Sequence, residues 1–243
     1  MRPRQLIVIA AVTMIVTGLV VRQLRGHHAA TDPERIRIVT EVYGGAATAS
    51  EITAALRAVR VLAKRPFPGG YDRDCGSGHR CSFGTAWSDA TTAPDGHNGC
   101  DTRNDVLREQ LVAVRVDPAS HGCKISAGTL VDPYTGRLVD FASDHYDIDI
   151  DHVVPLAYAW DMGAAAWTQP QRERFANDTS GELLASWGPA NQDKRDFGPP
   201  SWLPPNATFR CDYVLRFVQV IARYGLAITT ADEHAARDTA HRC

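Results

Sequence analysis

The five residues Asp147-Ile148-Asp149-Ile150-Asp151 alternate acid and isoleucine with a period of two. A helix would scatter them around its circumference. An extended strand puts three carboxylates on one face and both isoleucines on the other. The rest of the chain must therefore provide an apolar layer for one side of this strand and a polar setting for the other. His152 follows at the strand end, and Pro155, with no N–H to give, resists further extension.

The neighbouring patterns predict what packs around it. Ile125 to Val131 and Leu138 to Phe141 flank the turn sequence Asp132-Pro133-Tyr134-Thr135-Gly136, which predicts a hairpin. Pro189 follows Gly188 at a first helical position and places Asn191 in an opening helical turn. Residues 212–224 carry Val214, Phe217, Val218 and Ile221 on one stripe, with Gly225 as the stop. Thr230-Ala231-Asp232-Glu233 has the capping-box pattern of a final helix. Upstream, Ser50 reads as the N-cap of a helix through Lys64, ended by Pro66, Pro68 and Gly69-Gly70. Residues 71–99 are loop-rich, and Trp187 and Trp202 read as core. There are no internal repeats, and the order of hairpin, acidic strand, loop and helix gives an α+β class.

All six cysteines, Cys75, Cys81, Cys100, Cys123, Cys211 and Cys243, lie after an apolar run from Leu6 to Val21 that has arginines on both flanks. An even number of cysteines behind such a run is expected of disulfides in an oxidising compartment. Fifteen pairings are possible. Proximity favours Cys75 with Cys81 and Cys100 with Cys123, leaving Cys211 for Cys243. The same run makes residues 1–26 a signal peptide or signal anchor, so the protein is expected outside the cytoplasm, secreted or held at the membrane by that helix. Residues 27–65 then read as tether and helix, and 66–243 as the main domain.

A net charge of -2 offers no global attraction to a polyanion, so any such binding has to be local. The chemistry concentrates elsewhere. Asp151 offers a carboxylate and Asn191 an amide carbonyl, oxygen donors of the kind a hard cation prefers. His152 is the natural general base, since its unperturbed pKa leaves much of it neutral near pH 7. Adjacent residues at a strand end diverge, letting Asp151 face a metal while His152 faces a water.

The segment DIDHVVPLAYAWDMGA, followed by GPANQDKRDFGPPSWLPPN, resembles the HNH endonuclease motif of the ββα-metal superfamily. The accompanying NGCDTRNDVL, DPYTG and FRCDYV extend the likeness to exported proteins related to the C-terminal domain of GmrSD-type restriction enzymes, over roughly Tyr71 to Glu233. The resemblance implies a ββα-metal (HNH) nuclease core with added helices, holding one divalent cation, Mg²⁺ or else Mn²⁺ or another. It implies Asp151 and Asn191 as metal ligands and His152 as the base. It also implies phosphodiester hydrolysis of nucleic acid, DNA ahead of RNA and with little sequence specificity.

One position departs from the pattern. The asparagine usual nine residues before the last ligand is replaced by Glu182, which when ionised can brace a loop only as an acceptor. Asp149 shares a face with Asp151 and is a candidate supporting group. Arg103 and Lys194 are candidates for contact with phosphate. The alternative is a non-catalytic extracellular binding or adhesion module on a degenerate nuclease fold, which Glu182 and the acidic balance favour.

Overall fold

The computed structural model describes residues 47–144 and 147–243. The apolar run and the beginning of the tether fall outside the described residues. Among those described, no helix is long and apolar enough to cross a membrane.

The elements run α1 (Ala49–Leu56), β1 (Arg60–Leu62), α2 (Thr102–Gln110), β2 (Leu111–Val116), β3 (Ile125–Val131), β4 (Leu138–Ala142), β5 (Ile148–His152), α3 (Leu156–Asp161), α4 (Gln169–Ala176), β6 (Leu183–Trp187), α5 (Gly188–Lys194), α6 (Arg210–Arg223), β7 (Ala227–Thr229) and α7 (Thr230–Ala240). The fold is mixed α+β. It contains an antiparallel sheet ordered β2-β3-β4, an antiparallel β5-β6 pair and a parallel β1-β7 pair. The expected hairpin is β3-β4, and the expected acidic strand is β5.

β5 and β6 lie between two apolar clusters, and their residues divide between them. Ile148, Ile150, Leu183 and Ala185 join Val106, Leu107, Leu111, Ile125, Leu130 and Phe141 in one cluster. Val153, Val154 and Leu184 join the larger cluster around α6, where Tyr213, Val214, Phe217, Val218 and Ile221 are buried. The period-two reading of β5 holds: its isoleucines feed a core while Asp149 and Asp151 take partners on α5. The outer edge of β6 is closed by Gln110, whose amide donates to the Leu183 carbonyl (3.2 Å) and accepts from Ala185 N–H (2.8 Å).

Two expected boundaries move. The helix read over 50–64 stops at Leu56, and residues 60–62 form β1 beside β7, with Val61 opposite Ile228. β-branched Val59 and Val61 suit an extended chain, and strand pairing overrides the helical spacing there. The N-cap is Thr48, which closes a capping box with Glu51, rather than Ser50. The final helix is likewise capped one residue early, by Thr229 with Asp232. Tyr158 also donates to Asp232 (2.7 Å), and this long-range bond holds the aspartate that defines the cap.

The disulfides are Cys75–Cys81, Cys100–Cys123 and Cys211–Cys243, with no free cysteine. That is the pairing proximity favours. Cys211–Cys243 ties the start of α6 to the residues after α7. α1 buries Ile52 and Leu56 in the larger core, and Ala47 N–H donates to Asp212.

Candidate functional site

Asp151 and His152 leave the end of β5 on opposite faces, as strand geometry requires. Asp151 is buried, and both its oxygens are taken. The Lys194 ammonium lies 3.0 Å from Oδ1 and 2.8 Å from Oδ2, and the Tyr134 hydroxyl donates to Oδ2 at 2.5 Å. Burial raises the Asp151 carboxyl pKa, while Lys194 and the Tyr134 bond oppose the rise. Tyr134 arrives from the turn between β3 and β4. Asp132 fixes that turn by accepting from Thr135 N–H (2.9 Å) and, across to β6, from Trp187 N–H (3.0 Å).

Lys194 corrects an expectation. Its side chain is fully buried, and its ammonium also donates to the His152 carbonyl at 2.7 Å. A lysine enclosed in this way cannot touch a nucleic-acid backbone. Its place in the last turn of α5 aims it inward at the end of β5. Arg103 is likewise committed to the fold, donating from α2 to the Ile148 carbonyl at the start of β5 (2.8 Å).

Asn191 sits in the opening part of α5 as expected, but its amide nitrogen donates to Asp149 Oδ2 at 3.1 Å. The structure thus brings Asn191 to Asp149 and Lys194 to Asp151. In chemical kind, two carboxylates and an amide carbonyl suit a hard cation. In arrangement, Asp151 does not fit one, because an ammonium and a phenol already occupy its oxygens. The grouping of imidazole and carboxylates that does lie close together among the described residues is Asp72, Asp74 and His79, at the base of and within the Cys75–Cys81 loop. Asp72 there accepts the backbone N–H groups of Asp74 and Arg80, so it serves the loop's own geometry.

Glu182 is fully buried and braces the turn after β5 from the start of β6. Its carbonyl accepts from Val153 N–H (2.8 Å) and its Oε2 from Val154 N–H (3.2 Å), while Oε1 has no partner among the described residues. Burial holds its carboxyl pKa well above the usual range, favouring the protonated form. Its Oε2 thus braces the turn as an acceptor.

His152 opens on a cleft of about 390 Å³. Its Nε2 lies 3.0 Å from the Ala176 carbonyl. A carbonyl only accepts, so the ring donates from Nε2 and keeps its free lone pair on Nδ1. The Trp87 ring stacks on the imidazole, with centroids 5.8 Å apart and planes 12° from parallel. Burial lowers the His152 pKa to about 3, helped by the nearby positive charge of Arg73, so the ring is neutral at working pH. Sequence reasoning missed Tyr134, Trp87 and the Ala176 carbonyl. Only Tyr134 left a signal: an aromatic residue inside a tight turn has to find cover somewhere.

Fold and site together define a disulfide-bonded α+β protein with an Asp-His pair at a strand end, braced from the next strand and followed by a short helix. The chain belongs to the family of C-terminal domains of GmrSD restriction endonucleases, whose model matches residues 101–236. A protein of Arthroderma benhamiae (strain ATCC MYA-4681 / CBS 112371), described as an uncharacterized secreted protein, is 41% identical over 145 residues, covering 59% of this chain and 68% of that one. No solved structure matches.

Proposed function

We propose that this chain is an exported HNH-type endonuclease that hydrolyses phosphodiester bonds of nucleic acid, DNA in the first instance. The observation that carries this is His152: a neutral imidazole with its lone pair free, fixed by Ala176, Trp87 and the Glu182-braced turn, and opening on a cleft. A fixed, neutral imidazole is one requirement of a general base; at a pKa of about 3 it is a weak one, which a bound phosphate anion beside it would strengthen. Membership in a nuclease-related family and the antiparallel β5-β6 pair followed by α5 support the reading.

In this mechanism His152 Nδ1 takes a proton from water as its oxygen attacks phosphorus, the P–O3′ bond breaks, and the 3′ oxygen takes a proton from solvent, leaving a 3′-hydroxyl and a 5′-phosphate end. The fixed tautomer means that no ring rotation precedes proton transfer. Relief of phosphoryl charge is the role the resemblance gives to a divalent cation. With Asp151 closed on Lys194, no step is assigned to one. Export is supported by the three disulfides, which persist in oxidising compartments, and by the description of the relative as a secreted protein.

The closure of Asp151 on Lys194 favours the second reading, a binding module on a nuclease scaffold. Turnover separates the two. The full, disulfide-bonded chain and its His152→Ala variant are incubated with plasmid and single-stranded DNA, with Mg²⁺, with Mn²⁺ and with chelator. Cleavage lost in the variant supports the nuclease. Folded wild-type protein that cuts nothing under any condition would sink it.

A further inference from the structure

The cleft that receives His152 is only half built by the family-matched region. His152, Leu156, Ala176 and Asn177 form one side. The other side comes from residues 73–75 and 83–87, which precede the matched residues 101–236. This outer wall is anchored. Cys75–Cys81 staples it, Phe83 is buried 6.0 Å from the Phe175 ring, and Gln169 donates to the Cys81 carbonyl at 3.0 Å. Arg172 on α4 adds a bond to the Ser82 carbonyl.

Arg73 stands on this wall, exposed, and its guanidinium makes no ion pair or hydrogen bond among the described residues. Arg65, Arg223 and Arg237, by contrast, are spent on the fold: Arg65 on Asp161 and Asp196, Arg223 on Asp178, Arg237 on Glu233. Arg73 instead shares a cleft with the candidate base. Asn177, on the opposite side, is buried and has a side-chain oxygen without a partner among the described residues. A planar guanidinium suits the paired oxygens of a phosphodiester. One carboxylate, Asp74, also lines the cleft, with its Oδ2 4.0 Å from His79 Nδ1.

We propose that Arg73 binds the nucleic-acid phosphate presented to His152, so that the stapled segment ahead of the family domain completes the site. This rests on the nuclease reading and adds the group that holds the substrate's charge. It also replaces Lys194 and Arg103, which the fold has already committed. Trp87, stacked on the imidazole, keeps the base aligned while Arg73 holds the anion. Asp74 sets a local repulsion that a bound phosphate has to overcome.

The test uses the full, disulfide-bonded chain with Arg73→Ala, Arg73→Lys and Asp74→Asn, all at exposed positions. Cleavage of a fluorescent single-stranded DNA is followed across salt concentrations. Binding of the same DNA is measured in the His152→Ala background. Arg73→Ala is expected to raise KM about tenfold, the worth of one charge-assisted contact. It should also flatten the dependence of log affinity on log salt by about one unit. Arg73→Lys should keep the salt slope, and Asp74→Asn should lower KM. If wild type cuts but Arg73→Ala keeps its KM and salt slope, Arg73 is excluded and the nuclease reading stands. If wild type binds DNA through Arg73 without cutting it, the phosphate site stands and the nuclease reading falls. If wild type neither binds nor cuts DNA, both fall.

Discussion

Lys194 and Asp151 form a closed ion pair inside the protein, the ammonium 2.8 and 3.0 Å from the two carboxylate oxygens, with no exposure on the lysine side. The pair joins α5 to the end of β5, and the same ammonium fixes the His152 backbone. Removing one partner strands a buried charge. Lys194→Met is therefore expected to cost on the order of 3–5 kcal/mol in denaturant unfolding, with much of it recovered in the Asp151→Asn/Lys194→Met double variant. Additive losses would show that the pair is not coupled.

Glu182 gives a prediction with a definite sign. Its raised pKa means the folded protein keeps a proton that the unfolded chain releases above the ordinary glutamate value of 4.5. Its burial therefore costs progressively more stability as pH rises through that value. Glu182→Gln keeps the acceptor for Val154 N–H and removes the titration. The variant should gain on wild type as pH rises from 4.5 to 8, read from melting temperatures. Parallel profiles would contradict a buried neutral acid.

His152 works in the opposite direction. With a folded pKa of about 3 against 6.5, the unfolded chain binds a proton here that the folded protein refuses between those values. Stability is lost as pH falls below 6.5, on the order of 2 kcal/mol by pH 5. A His152→Asn variant should lose less than wild type between pH 7.5 and 5. Equal losses in urea titrations would place the imidazole in a more solvated state. For activity, the acid limb of kcat/KM should not show a group titrating near 6.5.

Two disulfides should separate stability from activity. Cys75–Cys81 closes a short loop with a sequence separation of 6, and Cys211–Cys243 a longer one with a separation of 32. Loop entropy gives their removal costs of roughly 2 and roughly 4 kcal/mol. Replacing both cysteines of the shorter one by serine loosens the wall that carries Arg73. That variant should lose the greater share of DNA cleavage while remaining the more stable of the two. A reversed order in either assay would contradict this division.

Much of the frame was legible because local chemistry and tertiary packing agree there. The Asp-Ile alternation specifies β5, Asp132–Gly136 the β3-β4 turn, Pro189 the start of α5 and Gly225 the end of α6. Legibility failed where a distant partner decides. Val61 is a strand residue because Ile228 lies beside it. Thr229 caps in place of Thr230 because Asp232 is held by Tyr158. The site divides in the same way. Asp151, His152 and Asn191 were visible as a motif, but the ammonium facing Asp151 depends on how α5 sits against β5. Arg73 and Trp87 lie far from the motif in sequence, so only the folded chain brings them to it.

The pairing of β1 with β7 also governs how this polypeptide can be made. Residues 60–62 find their partner strand only when residues 227–229 are present, and the third disulfide waits for Cys243. Most of the chain must emerge before the larger core can close, so maturation cannot proceed steadily from the first residues to the last. Its early portion has to wait unassembled, exposing apolar side chains to whatever chaperones and oxidants meet it first.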